Sequence, residues 1–221
     1  MRILSFDPGD PESARACLLE AAAVLRGGGT VVYPTDTVYG LGANALDAKA
    51  IEWVFRVKNR PGDKPLPIAV RDVPMAREVT MLSDKAEAFL HRVWPGAVTA
   101  VVHKRAHLPD ILTGGLTTVG VRQPKSDFLN RLFEKVAFPI TSTSANPSGE
   151  DAACAIGELA HRLQSLRYLP DLIIDAGDLP ESPPSTVVDI TGAEPRILRA
   201  GPVSSEELFD IFASLHIHKH E

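Results

Sequence analysis

The 221-residue sequence predicts an α/β fold with one twisted sheet, mixed parallel and antiparallel, and flanking helices. Three observations carry this. Helical and extended segments alternate along most of the chain. The apolar runs TVVYP (30–34) and DLIID (171–175) read as strands buried on both faces, as in parallel sheets. STVVDI and PRILRA, separated by a short turn near the end, read as an antiparallel hairpin.

The elements follow in order. Arg2 to Phe6 gives a short strand, and Asp10 caps an Ala- and Leu-rich helix that Gly27-Gly28-Gly29 stops. The β-branched strand Thr30 to Tyr33 comes next, then a helix near Asp47 to Val57 and a strand near Leu66 to Val70. Ser83 to Val93 is helical and Ala97 to His103 extended. Strands near Thr118 to Arg122, Pro139 to Thr141, Leu172 to Ile174, Thr186 to Ile190 and Arg196 to Arg199 surround helices near Asp127 to Val136 and Ile156 to Leu163. A last helix runs from Ser204 to about Ser214, with Glu206 and Glu207 in its first turn, where the helix dipole favours acids. With no repeat or long linker, the expectation is one domain over 1–214 and a tail over 215–221. The ending HIHKHE reads as a solvated tail rather than a metal tract.

Composition narrows the function. An apolar fraction of 44% supplies a core, while the absence of a long apolar run or a basic-then-apolar leader points to a cytoplasmic protein with no membrane association. Cys17 and Cys154 lack any zinc or disulfide spacing. A net charge of −5 argues against a broad nucleic-acid surface, because counterion release needs many exposed cations. There is no P-loop, no G-x-S-x-G elbow, and no cluster of His and carboxylates with metal spacing. GLGANA (40–45) matches G-x-G-x-x-A, but five residues separate it from the preceding strand, so it reads as a glycine-rich turn that permits tight packing.

What remains is a set of loops at strand ends: PTDTVYG, KNRPGDKP, TTVGVR, TSTSANPSG, PPSTVVD and LRAGP. Ligands bind at such ends in open α/β sheets. Lys58, Arg60 and Lys64 sit in a loop stiffened by Pro61, Pro65 and Pro67, and a pre-set loop loses less entropy on gripping an anion. If extended, it points Lys58 and Arg60 to one side. Ser142, Thr143, Ser144 and Asn146 fit two readings equally, either capping the turn before the next helix or reading a ribose, base or phosphate.

Taken in order, VVYPTDTVYGLGANA, KNRPGDKPL, WPGAVTAVV, TVGVRQP, TSTSANPSG, STVVDI and ILRAGP resemble the YrdC family of threonylcarbamoyl-AMP synthases across nearly the whole chain. The resemblance implies a twisted α/β domain around a large concave pocket. It also implies L-threonine, bicarbonate and ATP as substrates, magnesium accompanying ATP with no dedicated protein metal site, and a product passed to a tRNA threonylcarbamoyl transferase that modifies adenosine 37. Family roles would fall on Lys58 and Arg60 as catalytic residues; on Lys58, Arg60, Lys64, Thr118, Ser144, Asn146 and Arg199 for ATP; and on Thr37, Arg122, Ser142 and Ser185 for threonine. Many relatives carry a His where this chain has Ala69. The chain ends soon after Val203, so the expectation is the form without the C-terminal domain of longer relatives. A double-stranded RNA or tRNA-binding module is the alternative, and the acidic net charge weighs against it. A hydrogenase-maturation relative using carbamoyl phosphate would bring flanking segments that this sequence lacks.

Overall fold

The computed structural model describes residues 1–215; the HIHKHE ending lies outside them. In chain order the elements are β1 (Arg2–Ser5), α1 (Pro11–Arg26), β2 (Val31–Tyr33), β3 (Gly40–Gly42), α2 (Ala48–Val57), β4 (Ile68–Ala69), α3 (Val73–Val79), β5 (Thr80–Met81), α4 (Asp84–Val93) and β6 (Val98–Lys104). They continue with α5 (Asp110–Thr113), β7 (Thr118–Arg122), α6 (Asp127–Phe133), β8 (Ile140–Thr141), β9 (Thr143–Ser144), α7 (Ile156–Gln164), β10 (Leu172–Asp175), β11 (Thr186–Asp189), β12 (Arg196–Arg199) and α8 (Ser205–Ser214).

Two mixed sheets form where one was expected. The first has the order β1-β10-β2-β3-β9 and the second β12-β11-β6-β7-β4-β8, with β5 paired to β6. Inside them β1, β10 and β2 run parallel, in keeping with the two-sided burial of TVVYP and DLIID, and β11 with β12 is the expected antiparallel hairpin. The chain passes from one sheet to the other at Ser142, between two-residue strands too short to show a pattern in sequence. Along this crossing Thr141 N donates to Ala43 O at 2.9 Å, while Thr141 itself pairs with Ile68 of the second sheet.

Local chemistry explains the helix ends. Asp10 Oδ1 accepts from the amides of Glu12 and Ser13, and Ser204 Oγ accepts from Glu207 N, each satisfying donors that have no partner within the helix. Phe212 of α8 meets Phe89 of α4 edge to face, 5.5 Å between centroids, which fastens the last helix to α4. GLGANA packs tightly as expected, but as strand rather than turn. A Cβ on Gly42 would stand 2.6 Å from Tyr33 Cε1, and one on Gly40 2.8 Å from Cε2, so only glycine lets β3 lie flush against that ring. The short elements α3, α5, β3, β5 and β9 were not anticipated, since none is long enough for a hydrophobic period to show.

Candidate active site

A cavity of ≈ 430 Å³ opens between the sheets, within the range of small-molecule sites. Its wall comes from the β2–β3 turn, the basic loop, strands β6, β7, β11 and β12, and the crossing at Ser142.

The β2–β3 turn is folded by Thr35, whose Oγ1 accepts from the amides of Thr37 and Val38 and donates to Val38 O at 2.7 Å. This delivers Asp36 and Thr37 to Arg122. The Arg122 guanidinium donates from Nε to Gly96 O at 2.9 Å, from Nη1 to Thr37 Oγ1 at 3.0 Å and from Nη2 to Asp36 Oδ1 at 2.6 Å. Its side chain is 7% exposed, and burial lowers its pKa while the Asp36 charge works the other way. Three of the five guanidinium N–H groups are thereby committed, and one on each Nη remains.

The basic loop departs from the extended form expected of it. Helix α2 ends at Lys58, and Asn59 takes a left-handed turn at φ 47°, a conformation Asn tolerates better than most residues. That turn separates the two cations. Arg60 faces the cavity, with Nε donating to Lys64 O at 3.2 Å and Nη2 to Pro65 O at 2.9 Å. Lys58 turns inward, 2% exposed, and its Nζ donates to Ser144 O and Asn146 O. Burial first, and the Arg60 charge second, push the Lys58 pKa down to about 7. Helix α5 backs the loop: Leu66 N donates to Leu112 O at 2.8 Å, and a Cβ on Gly114 would stand 2.6 Å from Asp63 O. Lys64 is exposed and outside the wall.

On the opposite side Ser185 Oγ and Thr99 Oγ1 are 2.8 Å apart, and Arg199 donates from Nη2 to Ser185 O at 2.8 Å. Gly201 lets the chain pass this point, since a Cβ there would fall 2.3 Å from Thr186 N. Burial, then the nearby Arg122 charge, lowers the Arg199 pKa.

Of the sequence-predicted residues, Thr37, Arg60, Arg122, Ser142, Ser144, Ser185 and Arg199 meet on this wall. Lys58, Lys64, Thr118 and Asn146 do not. Thr118 shares the β7 face of Gly120 and Arg122 by alternation but lies beyond the cavity. The Ser142–Asn146 stretch caps no helix, because α7 starts only at Ile156. Asn146 Nδ2 closes the following turn through Pro147 O and Glu150 O, and its Oδ1 is buried with no partner among the described residues. Ala69 is fully buried, in register with Arg122 and off the wall.

Sequence reading missed Asp36 and Thr99 as members of the site. The one available signal for Asp36 was a carboxylate between two threonines directly after a buried strand; Thr99 is a single hydroxyl in an apolar strand.

None of the described wall residues is acidic, and three are arginines. Fold and wall together define an α/β protein with an arginine- and hydroxyl-lined cavity between two mixed sheets. The profile of the Sua5/YciO/YrdC family, described as telomere recombination, matches residues 23–201. The chain belongs to this family. It is 38% identical to the threonylcarbamoyl-AMP synthase of Pyrococcus abyssi over 90% of this chain and 58% of that protein. The putative threonylcarbamoyl-AMP synthase of Mycobacterium leprae is 36% identical over 93% of this chain and 92% of its own length. The solved P. abyssi Sua5 complexed with L-threonine superposes with a TM-score of 0.86 at 34% identity, over 99% of this chain and 63% of that one. The chain thus spans less than two thirds of the P. abyssi relatives. No described helix is long and apolar enough to cross a membrane.

Proposed function

We propose that this chain is a cytoplasmic L-threonylcarbamoyladenylate synthase, with residues 1–214 as the catalytic domain. It joins L-threonine, bicarbonate and ATP to give threonylcarbamoyl-AMP, pyrophosphate and water, and a tRNA threonylcarbamoyl transferase consumes the product to modify adenosine 37. The carrying observation is a wall with three arginines, several hydroxyls and no described acid, suited to holding two anions side by side. The names of the relatives and the threonine complex of one of them support the reading.

In this proposal the two free N–H groups of Arg122 fork onto the amino-acid carboxylate, with Thr37, Ser142 and Ser185 beside it. The threonine amine takes up carbon dioxide derived from bicarbonate. One carbamate oxygen then attacks the α-phosphorus, and the bond to the pyrophosphate oxygen breaks. The chemistry needs positioning and charge neutralisation rather than a protein nucleophile. Arg60 and Arg199 supply fixed positive charge along the phosphates and Ser144 adds a hydroxyl, while Lys64 and Thr118, off this wall, would serve only a phosphate chain that extends past it. Asn146 Oδ1 is a buried acceptor without a partner among the described residues, and it would meet a nucleotide donor only if the Ser144–Ser148 segment shifted on binding. Magnesium would arrive on the ATP phosphates, which commonly hold this ion together with water and few protein ligands.

The test is pyrophosphate release from ATP. It should require both L-threonine and bicarbonate, and equal release without threonine would overturn the substrate assignment. Salt-sensitive binding of double-stranded RNA that ATP does not displace would favour the RNA-binding alternative.

A further inference from the structure

Lys58 is the most deeply buried cation of the basic loop; its amide closes helix α2 on Val54 O at 3.0 Å, while its ammonium and its carbonyl both run to one other segment. Its Nζ donates to Ser144 O and Asn146 O, and its own carbonyl accepts from Ser148 N at 2.9 Å. Three hydrogen bonds from one residue thus span Ser144 to Ser148. The same segment is held from the other side by Ala145 N donating to Tyr39 O at 2.8 Å. Ser144 is on the cavity wall, whereas Lys58 is not.

We propose that Lys58 is a positioning residue, which sets the geometry of the Ser144–Ser148 segment for nucleotide binding and does not itself contact the phosphates. A buried ammonium would be expelled or neutralised unless its donors were taken up, and here two backbone carbonyls take them up. Its reach is spent before the cavity begins. The Asn59 turn makes this possible by directing Lys58 and Arg60 to different places, so that one cation shapes the wall and the other forms it. The inference rests on the nucleotide-binding reading of Ser144.

The test compares Lys58→Met, which keeps the stem and removes the donors, with Lys58→Gln, which loses the charge but keeps two N–H donors. Amide hydrogen exchange is followed in protein without added ligand, and ATP and L-threonine affinities are measured separately. Lys58→Met should speed exchange at Ala145 and Ser148 by about tenfold or more, weaken ATP binding to a similar degree and leave L-threonine binding within about twofold. Lys58→Gln should recover part of both losses. Unchanged exchange with lost ATP binding would mean that Lys58 touches the phosphates, and would overturn the proposal. Should Lys58→Met not fold, Lys58→Gln decides alone: protection and ATP affinity both near wild type support the proposal, and protection kept with ATP affinity lost overturns it. A wild-type protein that binds no ATP would sink the synthase reading, while the exchange data would still judge what Lys58 holds.

Discussion

Arg122 and Asp36 meet at 2.6 Å behind the cavity wall, the guanidinium side chain 7% exposed and the carboxylate 18%. The pair leaves two guanidinium N–H groups for a ligand while fixing the plane in which they lie. Arg122→Met should therefore abolish measurable L-threonine binding, at a cost of about 2 to 5 kcal/mol, and should also destabilise the fold by leaving a half-buried carboxylate unpaired. Asp36→Asn should weaken binding by less, roughly tenfold, because the fork persists but its orientation is held by a weaker acceptor. Calorimetric titration with L-threonine checks both, and full affinity in Arg122→Met would remove the clamp.

Arg60 offers a different readout. Replacing it with Ala should cut the rate of pyrophosphate release by about 100-fold or more, the usual loss when one charge-stabilising donor leaves a water-poor site. L-threonine affinity should stay unchanged, because Arg122 and Thr37 are held independently of the loop. An Arg60→Ala enzyme at full rate would exclude the loop from catalysis.

Lys58 should make stability depend on pH above neutrality. Its pKa falls from the ordinary 10.5 to about 7 on folding, so between those values the unfolded chain binds a proton that the folded protein does not. Stability must then rise with pH across this window, by up to roughly 1 kcal/mol per pH unit, and the contribution is lost as pH falls through 7. Urea titrations of wild type and Lys58→Met between pH 7 and 10 isolate the slope; parallel pH dependence in the two proteins would contradict it.

Asn59 tests the loop's backbone alone. At φ 47° glycine is free of strain, so Asn59→Gly should melt at or above the wild-type temperature, whereas Asn59→Val should lose about 1 to 2 kcal/mol. Thermal unfolding distinguishes them. A valine variant as stable as wild type would show that the left-handed turn is not needed.

Much of the fold was legible because its signals are local. TVVYP and DLIID became the adjacent parallel strands β2 and β10, and Asp10 and Ser204 cap the helices they precede. The division into two sheets was not legible, since it turns on two-residue strands either side of Ser142, and pairing partners far apart leave no mark on either segment. The site was legible as an ordered set of loops but not in its inner geometry. Prolines at 61, 65 and 67 suggest an extended chain, yet the single Asn59 turn decides where Lys58 goes. Asp36 escaped notice for a similar reason: its importance comes from Arg122, 86 residues away.

The crossing at Ser142 ties the cavity to the cooperativity of the whole chain. Thr141 belongs to the ladder of one sheet and Thr143 to that of the other, so unzipping either sheet from this edge pulls directly on the next residue of its neighbour. Because both sheets supply the cavity wall, an intermediate in which either one melts cannot keep the binding site. Loss of function and loss of fold should consequently coincide in a single transition, and a weakening substitution far out on either sheet will be felt as a smaller fraction of competent molecules rather than as an altered affinity.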